Sequence, residues 1–247
     1  KLSARDFDSS CWCLLVVFLM RRRPPSTTKS RSSAASDVLN DLHKNNTREW
    51  YHANKDWYKE AFGNFEDLVA MLLHTISDFD TSVMGTEPKD CLFRIYRDIR
   101  FSKDKTPYKT WFGAAMKSGG RKQIGSGYYI HVSPKQVYLA GGIWHPEKDT
   151  LDMIRDHIVA WPKKIERVVT DKNFIESFGE LGGDQLKTAP RGFPKDHPQI
   201  QWLRHKDHIV SVQIEPEEIL SEKFIKKAGE IYKKMLPLNQ FITEAIL

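Results

Sequence analysis

Apolar residues recur along this chain with two different periods. Phe65, Leu68, Val69, Leu72, Leu73 and Ile76 are spaced by three and four residues, which puts them on one face of a helix. The spacing predicts a helix with a single buried stripe. Trp50, Trp57, Tyr58 and Phe62 extend the helical pattern backward. Ahead of them, "SDVLNDLHKNN" predicts a short helix ending at the Asn45-Asn46 pair. Thr47 is placed to cap the next helix, with Glu49 in its first turn.

The period then changes. "CLFRIYRD", "TWFGAAMK", "GYYIHVS" and "QVYLAGGIW" are short runs rich in branched and aromatic residues, separated by Pro, Gly and Ser. Such runs predict strands. Ser133-Pro134-Lys135-Gln136 reads as a tight hairpin loop, and about four antiparallel strands in a meander are expected. His145-Pro146 reads as the N-cap and first residue of a helix, with Leu151, Ile154, Ile158 and Trp161 on its inner face. Two further short helices are expected before Gly179. "GELGGDQLKTAPRGFPKDHP" reads as an irregular loop carrying Arg191, Phe193 and His197, and "HIVSVQIE" as one more strand. Ser221 is expected to cap a last helix with Phe224, Ala228, Ile231, Tyr232 and Met235 facing inward. Helices, then sheet, then helices predict an α+β fold: an antiparallel meander sheet packed by N-terminal and C-terminal helices.

Composition changes this picture at one end only. Of the 247 residues, 40% are hydrophobic and 11% aromatic, enough for a sizeable core. The first 35 residues depart from the rest. Ten apolar residues from Cys11 to Met20 are too few to span a bilayer, which takes about 20 in a helix. A stretch rich in Ser, Arg and Pro follows, with no acid from Ser9 to Ser36. Residues 1–35 are therefore read as a disordered or targeting-like extension, and residues 36–247 as a single domain. Three cysteines, Cys11, Cys13 and Cys91, make neither a disulfide framework nor a four-ligand zinc site. They point to a reducing, intracellular location, cytoplasmic unless residues 1–35 direct the chain to an organelle. No transmembrane segment, metal or protein partner is expected, and no cofactor is indicated.

Charge is distributed unevenly. The net charge is +6. Residues 36–93 carry five basic and eleven acidic side chains, whereas residues 94–122 carry nine basic and two acidic. The basic stretch "RIYRDIRFSKDKTPYKT" interleaves Arg94, Arg97, Arg100, Lys103, Lys105 and Lys109 with Ile95, Tyr96, Ile99, Phe101 and Tyr108. If residues 94–99 form a strand, Arg94, Tyr96 and Asp98 share one face, and Arg97 falls on the apolar one. A buried arginine must be paired or must reach a ligand. Arginine suits bidentate contact with phosphate or carboxylate, and lysine adds point charge. Two readings are open here: an anion-binding site, or internal pairing of the cluster with the acidic 36–93 helices.

Other motifs carry less. The chain has no Walker A pattern, G-x-G-x-x-G, G-x-S-x-G or H-E-x-x-H. "SGGRKQIGSG" reads as a flexible hairpin connection. His205 and His208 have an H-x-x-H spacing near Asp207 but no third ligand at a fixed distance. Cys91 reads as a small core residue.

"FRIYRDIRFSKDKTPYKTWFGA", "GYYIHV", "GGIWHP" and "RGFPKDHP", together with "LNDLHKNNTREWYHANKDWY", resemble domain of unknown function 2461. This is a family of conserved hypothetical proteins in bacteria and fungi. The resemblance covers about Val38 to Phe241. It implies one compact α+β domain and no assigned activity, cofactor or catalytic residue. Its motif positions fall on Arg94, Arg97, Asp98, Arg100, Lys103, Lys105, Tyr108, Lys109, Tyr129, His131, Trp144, Pro146, Arg191 and Gly192.

Three functions fit these residues. The first is a binding module for an anionic ligand: a phosphate-bearing small molecule, a nucleotide or a nucleic-acid backbone. Arg94, Arg97, Arg100, Lys103, Lys105, Lys109 and Arg191 would supply charge, and Trp111, Tyr129 or Trp144 a stacking surface. The second is an enzyme acting on such a ligand with Asp98 or His131 as general base. The third is a structural or adaptor domain whose charges pair internally.

Overall fold

The computed structural model describes residues 34–247. The extension read at 1–35 lies outside the described residues except for its last two. Three helices open the fold: α1 (Ala34–Lys44), α2 (Arg48–Ala53) and α3 (Lys55–Ser77). Thr47 caps α2 as expected, its side chain accepting from Trp50 N at 3.2 Å. The Asn46 amide does further work. It donates to Tyr108 O and accepts from Tyr108 N, pinning the later basic segment to the first turn of the fold.

The sheet is a four-stranded antiparallel meander, β1 (Phe112–Met116), β2 (Gly127–Val132), β3 (Val137–Ile143) and β4 (His208–Ile214), in that order. The fold class is thus α+β, as the pattern predicted. One member differs. "CLFRIYRD" is not a strand: Pro88–Cys91 make a short helix, α4, and the chain beyond meets its neighbours only at isolated bridges, Leu92 with Ala114 and Tyr96 with Tyr108. Pro88 presets a helical turn, and residues 97–107 fold back on themselves, leaving no continuous partner for a ladder. With it goes the inference that Arg94, Tyr96 and Asp98 share a strand face. "HIVSVQIE" supplies the fourth strand.

The inner face of the sheet carries the core. Phe112 packs on Phe65 and Tyr58 of α3, with ring centroids 5.4 and 5.6 Å apart. Between sheet and C-terminus lie α5 (Lys148–Ala160), α6 (Pro162–Val169), α7 (Lys172–Phe178) and α8 (Ile200–Leu203). The last helix, α9 (Phe224–Ile246), packs on β3 and reaches β2 through Tyr232, whose hydroxyl donates to Tyr129 O. Tyr232 meets Tyr128 edge-on at 5.3 Å. Met235 fills the space above Gly141, where a Cβ would lie 2.8 Å from its sulfur. The stripe of α9 is Phe224, Ala228, Tyr232 and Met235, all buried, while Ile231 sits half-buried on its shoulder. Ser221 does not cap α9. Lys223 occupies the cap position, and Ser221 Oγ accepts from Lys223 N instead.

Two expectations about α5 are corrected. Its cap residue is Glu147, not His145, and Trp161 is an exposed C-cap. Arg155 takes the inward position; it can be buried because its guanidinium donates to Leu203 O and His205 O. His145 instead adopts a left-handed turn, φ 48°. Asp207, 1% exposed, holds that turn by accepting His145 N at 2.7 Å, and it also accepts Asp184 N at 2.9 Å. Asp207→Ala strands both donors, each worth about 1–3 kcal/mol when left unpaired. The expected loss is about 2–6 kcal/mol, a fall of about 4–24 °C in Tm at this chain length. A thermal melt checks it, and Asp207→Asn, which keeps one acceptor, should lose less.

Candidate functional site

The outward face of an antiparallel sheet is ordinarily polar. Here its part on β2 and the start of β3 is aromatic. Tyr129 and His131 alternate with buried Tyr128 and Ile130 on β2, and Tyr138 alternates with buried Val137 and Leu139 on β3. His131 and Tyr138 face each other in the register, so their rings stack at 4.7 Å and 11°. Trp111, just before β1, lies 5.0 Å from His131 on its other side. This arrangement needs Gly113. A Cβ there would stand 2.6 Å from the Tyr129 hydroxyl and 2.7 Å from the Trp111 ring. The result is a row of half-buried rings, Trp111, His131 and Tyr138, with Tyr129 packed between Tyr138 and Phe93.

The platform is uncharged and its rim is positive. Burial pushes His131 down to about 4, so its ring is neutral at pH 7. Its Nδ1 lies 3.3 Å from the Tyr129 hydroxyl, which burial pushes up. Lys109 Nζ donates to Arg94 O and Tyr96 O at 2.7 and 3.1 Å and sits 5.4 Å from the Trp111 ring centre. Burial lowers its pKa, with Arg94 and Arg121 adding to the effect. Arg121 donates to Leu92 O and lies 5.4 Å over the Phe93 ring. Arg94 is exposed. None of these three cations has an ion-pair partner among the described residues.

The loop beside the platform is different. Arg97 donates to Asp104 and Thr106, Arg100 grips both oxygens of Asp98, and Lys105 donates to Ile99 O. Hydrogen bonds from Arg100 hold Asp98 at about 2, and those from Thr106 N and Arg97 hold Asp104 at about 2. These ion pairs close within the loop, not onto the acidic helices of residues 36–93.

The fold therefore brings Lys109, Tyr129 and His131 together, with Arg94 at the rim. Arg97, Asp98 and Arg100 brace the loop; Lys103 and Lys105 are exposed on it. Trp144 lies elsewhere. Ala140 is opposite Tyr129, so Trp144 is four residues farther along the strand direction, about 13 Å. It is 68% exposed and rests on His145. Arg191 is exposed and makes no hydrogen bond or ion pair among the described residues. The motif reading missed Phe93, Tyr138 and Arg121. The signal for Tyr138 was in the strand alternation: an aromatic where a polar outward residue is the norm.

A pocket of about 330 Å³ lies between the start of β2 and α9, lined by Asp80, Lys117, Asn239 and Thr243 among others. It contains none of the platform residues. A flat sheet face offers stacking area without forming a cavity, so the two are separate features. Among the described residues no group of three or more His, Cys, Asp or Glu side chains is arranged to hold a metal ion. His205 and His208 are buried, and Cys91 is a buried thiol that burial pushes up to about 11. No helix among the described residues is long and apolar enough to cross a membrane.

No curated protein and no solved structure matches the chain. A family model does, over residues 34–241, under the description "Conserved hypothetical protein (DUF2461)". That span takes in the three opening helices, the whole sheet with its aromatic face, and most of α9, so the chain belongs to the domain of unknown function 2461 family.

Proposed function

We propose that this protein binds a phosphate-bearing ligand that also carries a flat ring, a nucleotide either free or within a strand. The observation that carries the reading is the ring row Trp111, His131 and Tyr138, neutral and facing outward beside three cations that form no direct ion pair among the described residues. Bases stack on such surfaces with about 1–3 kcal/mol each, and Arg and Lys at the edge meet the phosphate. Lys109 is already held by two carbonyls, so Arg94 is the cation best able to reach a ligand.

Isothermal titration with AMP, ATP and inorganic phosphate tests this. Both nucleotides are expected to bind more tightly than phosphate. Trp111→Ala, with circular dichroism confirming the fold, should weaken nucleotide binding by about 5-fold to 150-fold. Equal affinity for phosphate and nucleotide, or no effect of the variant, overturns the reading.

An enzyme using the same site is the second reading, and it favours His131 over Asp98. The neutral imidazole is within 3.3 Å of the Tyr129 hydroxyl, on the platform itself. Asp98 has both oxygens gripped by Arg100 in the loop beside the platform, so it is not free to accept a proton there. Conversion of bound ATP during the titration, lost in His131→Ala, would favour this reading over binding alone.

A further inference from the structure

We infer that the platform takes a single strand of nucleic acid several nucleotides long, gripped at a second point by Phe101; this rests on the nucleotide reading above. Phe101 is 94% exposed, the most exposed ring among the described residues. Binding residues are disproportionately carried on loops, and here the bare ring stands beside cations. The loop is braced from within. Arg97 reaches Asp104 and Thr106, Lys105 reaches Ile99 O, and the Tyr96–Tyr108 bridge closes the base. Its two acids are already engaged by Arg97 and Arg100. What remains toward solvent is Phe101 with exposed Lys103 and Lys105, while the Arg100 guanidinium, paired with Asp98, lies 5.9 Å from the ring centre.

The loop base and the platform share Lys109, which bonds Tyr96 O and faces the Trp111 ring. Phe101 is five residues from Tyr96, so it lies within about 17 Å of the loop base. Rings on the platform and on the neighbouring loop, with cations on both, suit a flexible polyanion whose bases unstack. Single-strand sites of this kind span about 4–16 nucleotides. An anionic membrane also pairs a ring with lysines, but it offers nothing to the neutral ring row.

The test uses fluorescence anisotropy with labelled oligomers of about eight nucleotides, oligo-dT and oligo-rU, competed by dTMP and UMP. Oligomers should bind at least about tenfold more tightly than mononucleotides. Phe101→Ala should weaken oligomer binding about fivefold or more and leave mononucleotide binding unchanged. Lys103→Ala should reduce the slope of log affinity against log salt by about 0.7, one phosphate contact. Equal affinity for oligomer and mononucleotide overturns the inference while the nucleotide reading stands. Absence of binding by either overturns both. Binding of anionic phosphatidylserine vesicles that Phe101→Ala abolishes, with no oligomer binding, assigns the loop to a membrane and overturns the inference.

Discussion

Gly142→Ala is expected to cripple folding. Gly142 sits in β3 at φ +112°, a conformation that L side chains rarely adopt. A Cβ there would lie 2.0 Å from the His208 carbonyl oxygen and 2.9 Å from the Ile209 Cα. Both are backbone atoms of the paired strand, so no side chain can swing aside. Relief requires β3 and β4 to part. That movement also disturbs the Gly142 N–H, which donates to Asn239 of α9 at 2.8 Å. Backbone strain of this kind costs about 1–3 kcal/mol, and forcing atoms into a packed interior about 1–3 kcal/mol more. A sum of about 2–6 kcal/mol is a large share of the roughly 5–15 kcal/mol that keeps a domain folded. The expected result is loss of soluble protein, or a Tm lower by about 4–24 °C. Gly63→Ala is the control. In helix α3 a Cβ at that position meets nothing within 4 Å, so the variant should gain up to about 1 kcal/mol from helix propensity. Equal Tm for wild type and Gly142→Ala would show that the strands do not approach as closely as described.

Acid is expected to destabilise the protein well above the range where its carboxylates titrate. His208 is 1% exposed; its ring nitrogens make no hydrogen bond of normal geometry among the described residues, and the nearby Trp202 backbone favours its charged form only slightly. Burial pushes its pKa down to about 3, with His205 and the buried Arg155 opposing a further positive charge and Asp207 partly offsetting them. In the unfolded chain an ordinary histidine titrates near 6.5. Between these values the unfolded state holds a proton that the folded state does not. Stability from His208 is therefore complete above about pH 6.5 and is lost as pH falls toward 3. At pH 4.5 the loss is about 3 kcal/mol. Burial lowers His205 and His131 as well, so both act in the same direction. Asp98 and Asp104, held at about 2, lose their contribution only at lower pH. Urea unfolding at pH 7.5, 6, 5 and 4.5 should show stability falling steadily below about 6.5. His208→Leu should flatten that slope by about one proton and cost little at pH 7.5, because an apolar side chain leaves no buried nitrogen unpaired. An unchanged slope in His208→Leu would place the proton uptake elsewhere.

Local pattern was enough for the elements whose signal lies within a few residues. The stripe from Phe65 to Ile76, the Thr47 cap and the alternation through β2 and β3 each follow from backbone periodicity, and the structure bears them out. The family also followed from the chain alone, because long motif strings survive without any knowledge of contacts. The α+β class followed from the order of the periods. "CLFRIYRD" predicts a strand that the fold does not form, because a run of branched and aromatic residues describes a strand and a bridged loop equally well. Only the absence of a continuous partner separates them.

What the tertiary structure alone decided is which charges are engaged and which rings meet. Arg97 and Arg100 look like ligand-facing cations in sequence, yet their acids stand seven and two residues away and close the loop. Arg155 looks like a surface residue until the carbonyls of Leu203 and His205, 48 and 50 residues distant, accept its guanidinium. Trp111, His131 and Tyr138 come from three separate runs, and only the β1–β2–β3 register stacks them. Periodicity determines which face a side chain occupies, because that is a property of the local backbone. Its neighbours depend on strand register and loop closure, which are settled by contacts between residues far apart in the chain.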